Sequence, residues 1–314
     1  MQHWDYYWQK TKTLNSFAEG EQGQGYHGEV AEFWQRIFAE FTKGAKVLDL
    51  ASGNGALAVL ALQSNNHLDI SASDKADICP MQLFDKQSQQ YKYLQRVKFY
   101  GGMPSEELRF PDENFDIVVS QFGFEYSEPE ATLQQLYRVL KPGAKFVALV
   151  HHKDSFISRD CVIGLSVLPL FTKHDGLLDK AREFAKFCQQ LQQVKVLSLP
   201  QQQLLKQHSD LLLANFIAVQ KSVTAEQLEW FNLVAKELVS GLADWRSNST
   251  EIIDKLTANL NFFKCRIEDQ VGACWSVQQR NVVQIIAQQV GFSASSSILE
   301  TKDGKFSWVF QLSK

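Results

Sequence analysis

Short apolar segments alternate with helix-like segments over the first half of the chain. Five segments have the length and apolar content of buried strands: Lys46–Leu50, Leu68–Ser73, Val97–Tyr100, Phe115–Ser120 and Lys145–Val150. Four segments between or before them have helical spacing: Glu29–Phe41, Ala56–Leu62, Gln82–Leu94 and Ala131–Leu140. Strands that are apolar on both faces and alternate with helices are typical of a parallel sheet covered on both sides. Since such crossovers are right-handed, the pattern predicts a doubly wound α/β fold.

The pattern becomes almost purely helical between residues 151 and 275 and then returns to α/β. A capping box at Ser276–Gln279 begins a helix that we expect to end at Gly291. Two strands follow, Ser297–Glu300 and Phe306–Leu312, and Asp303-Gly304 between them is a hairpin signal. We therefore predict a mainly parallel, seven-stranded sheet with a terminal antiparallel hairpin and an α-helical insertion.

Composition and charge are those of an ordinary soluble globular protein. The chain has 314 residues, 45% hydrophobic and 21% charged, with a formal net charge of −3. This balance gives no reason to expect nucleic-acid or membrane binding. The five cysteines form no CxxC pair and are expected to be reduced thiols. With no secretory signal and only the short apolar run Cys161–Phe171, we expect a cytoplasmic protein.

The segment between the first strand and its helix reads V47-L-D-L-A-S-G-N-G55. Gly53 and Gly55 allow a tight turn and close approach of a ligand to the backbone, and the helix that follows presents free N–H groups. Asp49 ends the strand, where ligands bind in open parallel sheets. A carboxylate there disfavours a pyrophosphate and favours a cationic or amino-bearing ligand. Asp74 ends the second strand and can accept hydrogen bonds from a ribose diol, or can cap the segment that follows.

These motifs resemble those of the class I S-adenosylmethionine-dependent methyltransferases. The resemblance rests on V47-L-D-L-A-S-G-N-G55, Asp74, the stretch Leu108–Ser120 and the turn Leu140–Gly143, in register over residues 44–150 and 276–314. Ala51 replaces the usual first glycine of the loop, Ser52 replaces the frequent cysteine or threonine, and Gly101–Ser105 lacks the acid that often holds the adenine amino group. The resemblance divides the chain into an N-terminal helical or lid segment (1–43), the core (44–150 and 276–314) and a helical insertion (151–275). From its position after the fifth strand we expect the insertion to cap the substrate; the alternative is a purely structural or dimerising subdomain.

The resemblance implies S-adenosylmethionine as cofactor and assigns roles to matching positions. Asp49 and the loop Ala51, Ser52, Gly53, Asn54 and Gly55 would hold the methionine moiety. Asp74 would hold the ribose beside Lys75, and Met103 and Pro104 would flank the adenine. Gln121 and Phe122 would lie under the sulfonium.

Methyl transfer from a sulfonium is a direct displacement that needs alignment and the exclusion of water. Aromatic faces can stabilise the sulfonium, and the candidates are Tyr26, Trp34, Phe122, Phe124 and Tyr126, of which Trp34 is better explained by core packing. A general base is needed only if the acceptor loses a proton. The candidates are Glu125 and His151, with His152 as the alternative histidine. No set of converging ligands predicts a metal site.

We predict a methyltransferase acting on a small, fairly apolar molecule. The alternatives are methylation of tRNA or protein, which the scattered basic residues do not favour, a catalytically silent cofactor-binding module, and a nicotinamide-dependent reductase. The last rests on Gly53–Ala58, which fits the pattern GxGxxG/A of dinucleotide sites. The sequence contains no feature that defines the oligomeric state, the acceptor or the methylated atom.

Overall fold

A computed structural model describes residues 2–16, 25–247 and 249–314. Within them, seven strands form one sheet in the order β3-β2-β1-β4-β5-β7-β6. The strands are β1 Lys46–Leu50, β2 Asp69–Ser73, β3 Val97–Tyr100, β4 Phe115–Gln121, β5 Leu140–His151, β6 Ser293–Thr301 and β7 Gly304–Ser313. The pairings from β3 to β5 are parallel, whereas β7 is antiparallel to both β5 and β6. The predicted fold class is confirmed.

Helices lie before, between and after the strands. They are α1 Gln2–Lys10, α2 Gly28–Ala39, α3 Ala56–Ser64, α4 Gln89–Leu94, α5 Pro129–Val139, α6 Phe156–Thr172, α7 Leu177–Leu191, α8 Leu199–Ser222, α9 Ala225–Gly241, α10 Thr250–Ala273 and α11 Val277–Val290. The capping box at Ser276 begins α11, and Gly291 ends it with a φ of +117°. In the predicted lid segment, residues 17–24 lie outside the described part of the chain.

The sheet has an apolar core on each face, because successive side chains of a buried strand point to opposite sides. On one face, Leu48, Phe146 and Phe310 pack with residues of α5 and α11. On the other face, Val47 and Ile117 pack with residues of α2 and α3. This covering on both sides explains why the strands of the first half read as continuous apolar runs.

Two local predictions are corrected by the structure. Of the helix expected over Gln82–Leu94, only the C-terminal part forms, as α4. The side chain of Asp85 accepts the N–H of Gln87, and Ser88 caps α4 by accepting the N–H of Tyr91. Short polar side chains that bond the nearby backbone compete with a longer helix. The turn expected at residues 141–143 lies inside β5, where the pairing with β4 shifts register between Phe115 and Ile117.

The chain divides into two compact units. Unit 1 contains residues 1–158 and 272–314 and holds the whole sheet; unit 2, residues 159–271, is helical. Among the described residues, one stretch, Phe156–Leu191, contains an 18-residue window apolar enough to cross a membrane (mean hydropathy 1.3), and 44% of that window is buried in the protein. That stretch is divided into α6 and α7 near Asp175, whose φ is +60°.

Candidate active site at the switch point of the sheet

The candidate site lies where β1 and β4 are neighbours in the sheet. The strand order reverses direction here, so the loops after the two strands leave a crevice at the carboxyl edge of the sheet. Asp49 lies near the end of β1, and Gln121 ends β4. Two non-glycine residues in this crevice have left-handed backbone conformations, Ala51 (φ +55°) and Phe122 (φ +56°). Such strain concentrates at functional sites.

The loop after β1 is held by Asp74, at the carboxyl end of β2. Its Oδ2 accepts the N–H of Gly53 (2.8 Å), and its Oδ1 accepts the N–H of Ala76 (2.8 Å). Asp74 is buried, and burial raises the pKa of its carboxyl group to about 6 against the lowering effect of these two N–H groups. The side chain of Asp74 therefore connects the glycine loop to the carboxyl end of β2 and places a carboxyl group in the crevice.

Asp49 is a second buried carboxyl group in the same crevice. Its Oδ2 accepts the N–H of Ala58 in the first turn of α3 (3.1 Å). Burial and, to a lesser extent, the negative charge of Asp74 raise its pKa to about 8. Burial and the nearby Asp49 also raise the pKa of the Tyr26 hydroxyl. Within the described residues neither carboxyl group forms a salt bridge, so a positively charged ligand would favour their ionised forms.

Gln121 presents an unsatisfied polar group at the end of β4. Its Oε1 accepts the indole N–H of Trp34 (2.5 Å), whereas its Nε2 is buried and makes no hydrogen bond within the described residues. Trp34 is fully buried and stacks on Phe38. The prediction of core packing for Trp34 is thus confirmed, and its indole also orients Gln121. Sequence spacing gave no sign of this pairing, which joins residues 87 positions apart.

The loops after β1 and β4 pack directly against each other. A Cβ atom built on Gly123 would lie 2.5 Å from the Cβ of Ala51. The hydroxyl of Ser120 donates to Leu50 O (2.9 Å) and accepts the N–H of Phe124 (3.1 Å). Gly123 is therefore required for close approach, although the sequence motifs did not single it out.

Helix α1 lies against the glycine loop through Trp8. A Cβ atom on Gly53 would lie 2.5 Å from the Trp8 indole, and that ring is buried with Ala76 and Ile78. Asn54 extends the attachment, because its Nδ2 donates to the carbonyls of Thr11 (3.2 Å) and Thr13 (2.9 Å). The N-terminal segment thus forms a wall of the crevice, a contact that no local pattern reveals.

Glu125 and His151, the two candidate bases, come together beside the crevice. The Oε1 of Glu125 accepts the backbone N–H of His151 (2.7 Å), and burial raises the pKa of Glu125 to about 8. Burial lowers the pKa of His151 to about 3, so its imidazole is neutral. Phe122 stacks on that imidazole with ring centroids 4.0 Å apart, and Tyr126 approaches it edge-on.

The remaining predicted residues divide into those at the crevice and those packed elsewhere. Ser52 donates its N–H to Ser73 O (3.0 Å), and Gly55 begins α3 with a φ of +86°. Met103 donates its N–H to Asp74 O (2.9 Å), but its side chain lies in the core on the α5 face. Lys75 is exposed and Pro104 half-buried.

Two other candidates contribute to packing. Phe124 belongs to the core with Phe146, Trp275 and Phe310. His152 stacks on Trp308, with ring centroids 4.5 Å apart. Within the described residues, no group of three or more His, Cys, Asp or Glu side chains converges as metal ligands.

Comparison with known families identifies the part of the chain that carries this site. Residues 48–148 match the family model of a methyltransferase domain. Over this segment the chain is similar to methyltransferase domains. The match covers β1 to β5, including the glycine loop, Asp74, Gln121 and Glu125. It favours the methyltransferase prediction over a nicotinamide-dependent reductase.

Curated relatives support the same domain. The chain is 30% identical over 161 residues to the ubiquinone/menaquinone biosynthesis C-methyltransferase UbiE of Shewanella baltica strain OS155, over 48% of this chain and 61% of that relative. It is 31% identical over 134 residues to UbiE of Shewanella sp. strain ANA-3, over 40% of this chain and 51% of that relative. The chain therefore spans about three fifths or less of the length of these relatives.

Solved structures of methyltransferases also resemble the chain. One is a SAM-dependent methyltransferase from Aquifex aeolicus, with 13% identity, a TM-score of 0.39, and coverage of 89% of this chain and 87% of that one. Another is the Burkholderia thailandensis 1,6-didemethyltoxoflavin-N1-methyltransferase with bound S-adenosylhomocysteine, with 21% identity, a TM-score of 0.33, and coverage of 40% and 54%.

The residues of the crevice have the chemistry to bind S-adenosylmethionine, the cofactor that the sequence resemblance implies. The cofactor carries an ammonium and a sulfonium, and the crevice holds the buried carboxyl groups of Asp49 and Asp74. The buried Nε2 of Gln121 is a donor that a carboxylate or hydroxyl group of the cofactor can accept from.

Proposed function

We propose that the chain transfers a methyl group from S-adenosylmethionine to a small-molecule acceptor. The observation that carries the proposal is the pair of buried carboxyl groups, Asp49 and Asp74, on either side of the glycine loop in the matched domain. A ligand with a permanent positive charge and an amino group stabilises the ionised forms of these two carboxyl groups. A pyrophosphate would add negative charge to it.

In this proposal, different residues of the crevice bind different parts of the cofactor. Asp49, the loop Ala51–Gly55 and Gln121 hold the methionine part, and Asp74 accepts hydrogen bonds from the ribose beside Lys75. Pro104 and the backbone at Met103 flank the adenine, since the Met103 side chain is buried in the core. Phe122 presents its ring near the sulfonium and is itself fixed by stacking on His151.

The acceptor is proposed to be small and fairly apolar. The site is bordered by the aromatic rings of Phe122, Tyr126 and Phe306. The curated relatives named above are, by their names, C-methyltransferases of ubiquinone/menaquinone biosynthesis. Residues 1–43 form a lid in this proposal, supported by the contact of Trp8 with Gly53. The insertion 151–275 is proposed as the substrate cap, and the protein is proposed to work in the cytoplasm.

The chain's own residues align the acceptor and remove its proton. When bound, S-adenosylmethionine supplies an activated methyl group, so alignment of the acceptor atom supplies most of the acceleration. Glu125 is the proposed base because its carboxyl group is buried and its Oε2 makes no hydrogen bond within the described residues. The neutral His151 fixes Phe122 and holds Glu125 through its backbone N–H.

Glu125 gives a testable dependence of the rate on pH. With an acceptor that loses a proton, kcat/KM is expected to rise with pH through about 8, because Glu125 acts as a base only when ionised. Glu125→Gln is expected to lower kcat by about 100-fold and to abolish that rise. A glutamine carbonyl can still accept the N–H of His151, so the fold is preserved.

The control for this variant is Glu130→Gln, which changes an exposed glutamate in the first turn of α5. It is expected to keep the wild-type profile. If Glu125→Gln retained both kcat and the pH profile, Glu125 would only position the end of β5.

The acceptor class is tested by incubating the full chain with methyl-labelled S-adenosylmethionine and separated cell fractions. Label is expected in the small-molecule fraction extracted by organic solvent. Label in tRNA or in protein would replace the proposal by the macromolecular alternative. Binding of the cofactor with no label in any fraction would favour the silent binding module.

A further inference from the structure

The helical unit, residues 159–271, contains a cavity of its own. Its volume is about 690 Å³, and its walls come from α7, α8, α9 and the loops after α7 and α9. Pockets of roughly 300–1,000 Å³ are typical of small-molecule sites. All of its lining residues belong to unit 2, and none of them is a residue of the crevice at the sheet edge.

The wall of the cavity is mostly apolar. Phe184, Phe216 and Leu242 are buried in its interior. By contrast, Val196 (80% exposed) and Leu213 (56% exposed) line the same cavity with large apolar side chains in contact with solvent. Removing such surface from water is favourable, so a ligand with an apolar body would gain free energy here.

Three cations line the cavity, and no aspartate or glutamate does. They are Lys195 in the loop after α7, Lys206 on α8 and Arg246 after α9. The Arg246 guanidinium lies over the Trp245 ring, 4.7 Å from its centroid. The two loops are joined, because the Gln192 side chain donates to Trp245 O (3.0 Å).

Two acids lie near these cations without lining the cavity, Asp210 and Asp244. The Oδ1 of Asp244 accepts the backbone N–H of Arg246 (3.1 Å) and leaves its guanidinium to the cavity side. Lys206 pairs with Asp210 at 3.1 Å, but both side chains are largely exposed, at 80% and 62%. Such surface pairs contribute little and exchange easily for another anion. The positive charges of the cavity are therefore available to pair with an anionic group of a ligand.

We propose that this cavity binds a single-chain amphiphile with an anionic head group, of the fatty-acid type. The apolar wall takes the hydrocarbon chain, and Lys195, Lys206 and Arg246 take the head group. A carboxylate and a phosphate share the required chemistry, since both accept charge-assisted hydrogen bonds from lysine and arginine. The site does not depend on methyl transfer, because no residue of the crevice takes part in it.

The test is calorimetric titration of the full chain with dodecanoate, dodecyl phosphate and dodecyltrimethylammonium, below their micelle concentrations. Saturable binding of dodecanoate is expected, and the cationic amphiphile is expected to bind at least about tenfold more weakly. Tighter binding of dodecyl phosphate than of dodecanoate would identify phosphate as the preferred head group and support the same site. Equal binding of all three, or binding of none, would overturn the proposal.

Two neighbouring residues of α8 provide matched variants. Leu213 lines the cavity, whereas Leu211 does not, and both are exposed (56% and 63%). Leu213→Glu is expected to weaken dodecanoate binding about tenfold or more, because it adds a carboxylate to the wall. Leu211→Glu is expected to bind as the wild type does. Equal losses in the two variants would indicate nonspecific adsorption and contradict the assignment.

Discussion

Replacing Asp74 with alanine is expected to weaken the binding of S-adenosylhomocysteine by about 1,000-fold. Two charge-assisted hydrogen bonds to a ribose diol are lost, at ~2 kcal/mol each, and every 1.4 kcal/mol corresponds to about tenfold in affinity. The substitution also leaves the N–H groups of Gly53 and Ala76 without their acceptor, which loosens the glycine loop. Isothermal titration calorimetry of the full chain measures the change.

The matched control is Asp69→Asn at the other end of the same strand. Asp69 pairs with Lys98 at the surface (2.7 Å) and lies away from the crevice. The affinity of the Asp69→Asn variant for S-adenosylhomocysteine is expected to stay within about twofold of the wild type, since exposed salt bridges contribute little to stability. Asp74→Ala with wild-type affinity and a folded circular dichroism spectrum would refute the role of Asp74 as the ribose acceptor.

Gly123→Ala is expected to lower the free energy of unfolding by about 3 kcal/mol, because the new methyl group would lie 2.5 Å from the Cβ of Ala51. The φ of Gly123 is −139°, outside the left-handed region that favours glycine, so the expected effect is mainly steric. The loop after β1 must move, and affinity for S-adenosylhomocysteine should fall with stability. Urea unfolding and calorimetry report the two effects.

The double variant Ala51→Gly, Gly123→Ala distinguishes this steric cause from others. Ala51→Gly removes the opposing methyl group and relieves a left-handed conformation (φ +55°). It is expected to recover more than half of the lost stability, although contacts with Ala51 O and the Ser120 hydroxyl at 3.1 Å remain.

Gly143→Ala is the comparison for backbone strain alone. Gly143 has a φ of +77°, and nothing lies within 4 Å of an added Cβ. Its replacement by alanine should lower the free energy of unfolding by only ~1 kcal/mol. A double variant no more stable than Gly123→Ala would show that the two loops do not compete for the same space.

The sheet and its ligand edge were predictable because local patterns encode them. Strands β1, β2 and β4 and the second half of β5 are buried on both faces, so each reads as a short apolar run. Asp303-Gly304 marks the hairpin between β6 and β7. The helix expected at Gln82–Leu94 was wrong because the local bonds of Asp85 and Ser88 outweighed its helical spacing.

The walls of the crevice could not be predicted in the same way. These walls are formed by contacts between elements far apart in the chain: Trp8 on Gly53, Trp34 on Gln121 and Ala51 against Gly123. No periodicity specifies which aromatic residue covers which loop. Assignment of Met103 to the adenine came from the resemblance, whereas burial of its side chain among core residues is visible only in three dimensions.

The placement of β7 between β5 and β6 affects the order in which the molecule can assemble during synthesis. Lys145 of β5 pairs with Ser313 of β7, so one edge of β5 lacks its neighbour until the helical unit has been translated. Such distant pairing slows folding, since the closure of a long loop precedes the gain from the contacts. Meanwhile an apolar strand edge is open to association with other chains. Yield and solubility should therefore depend on translation through residues 159–271 and on chaperones that shield β5.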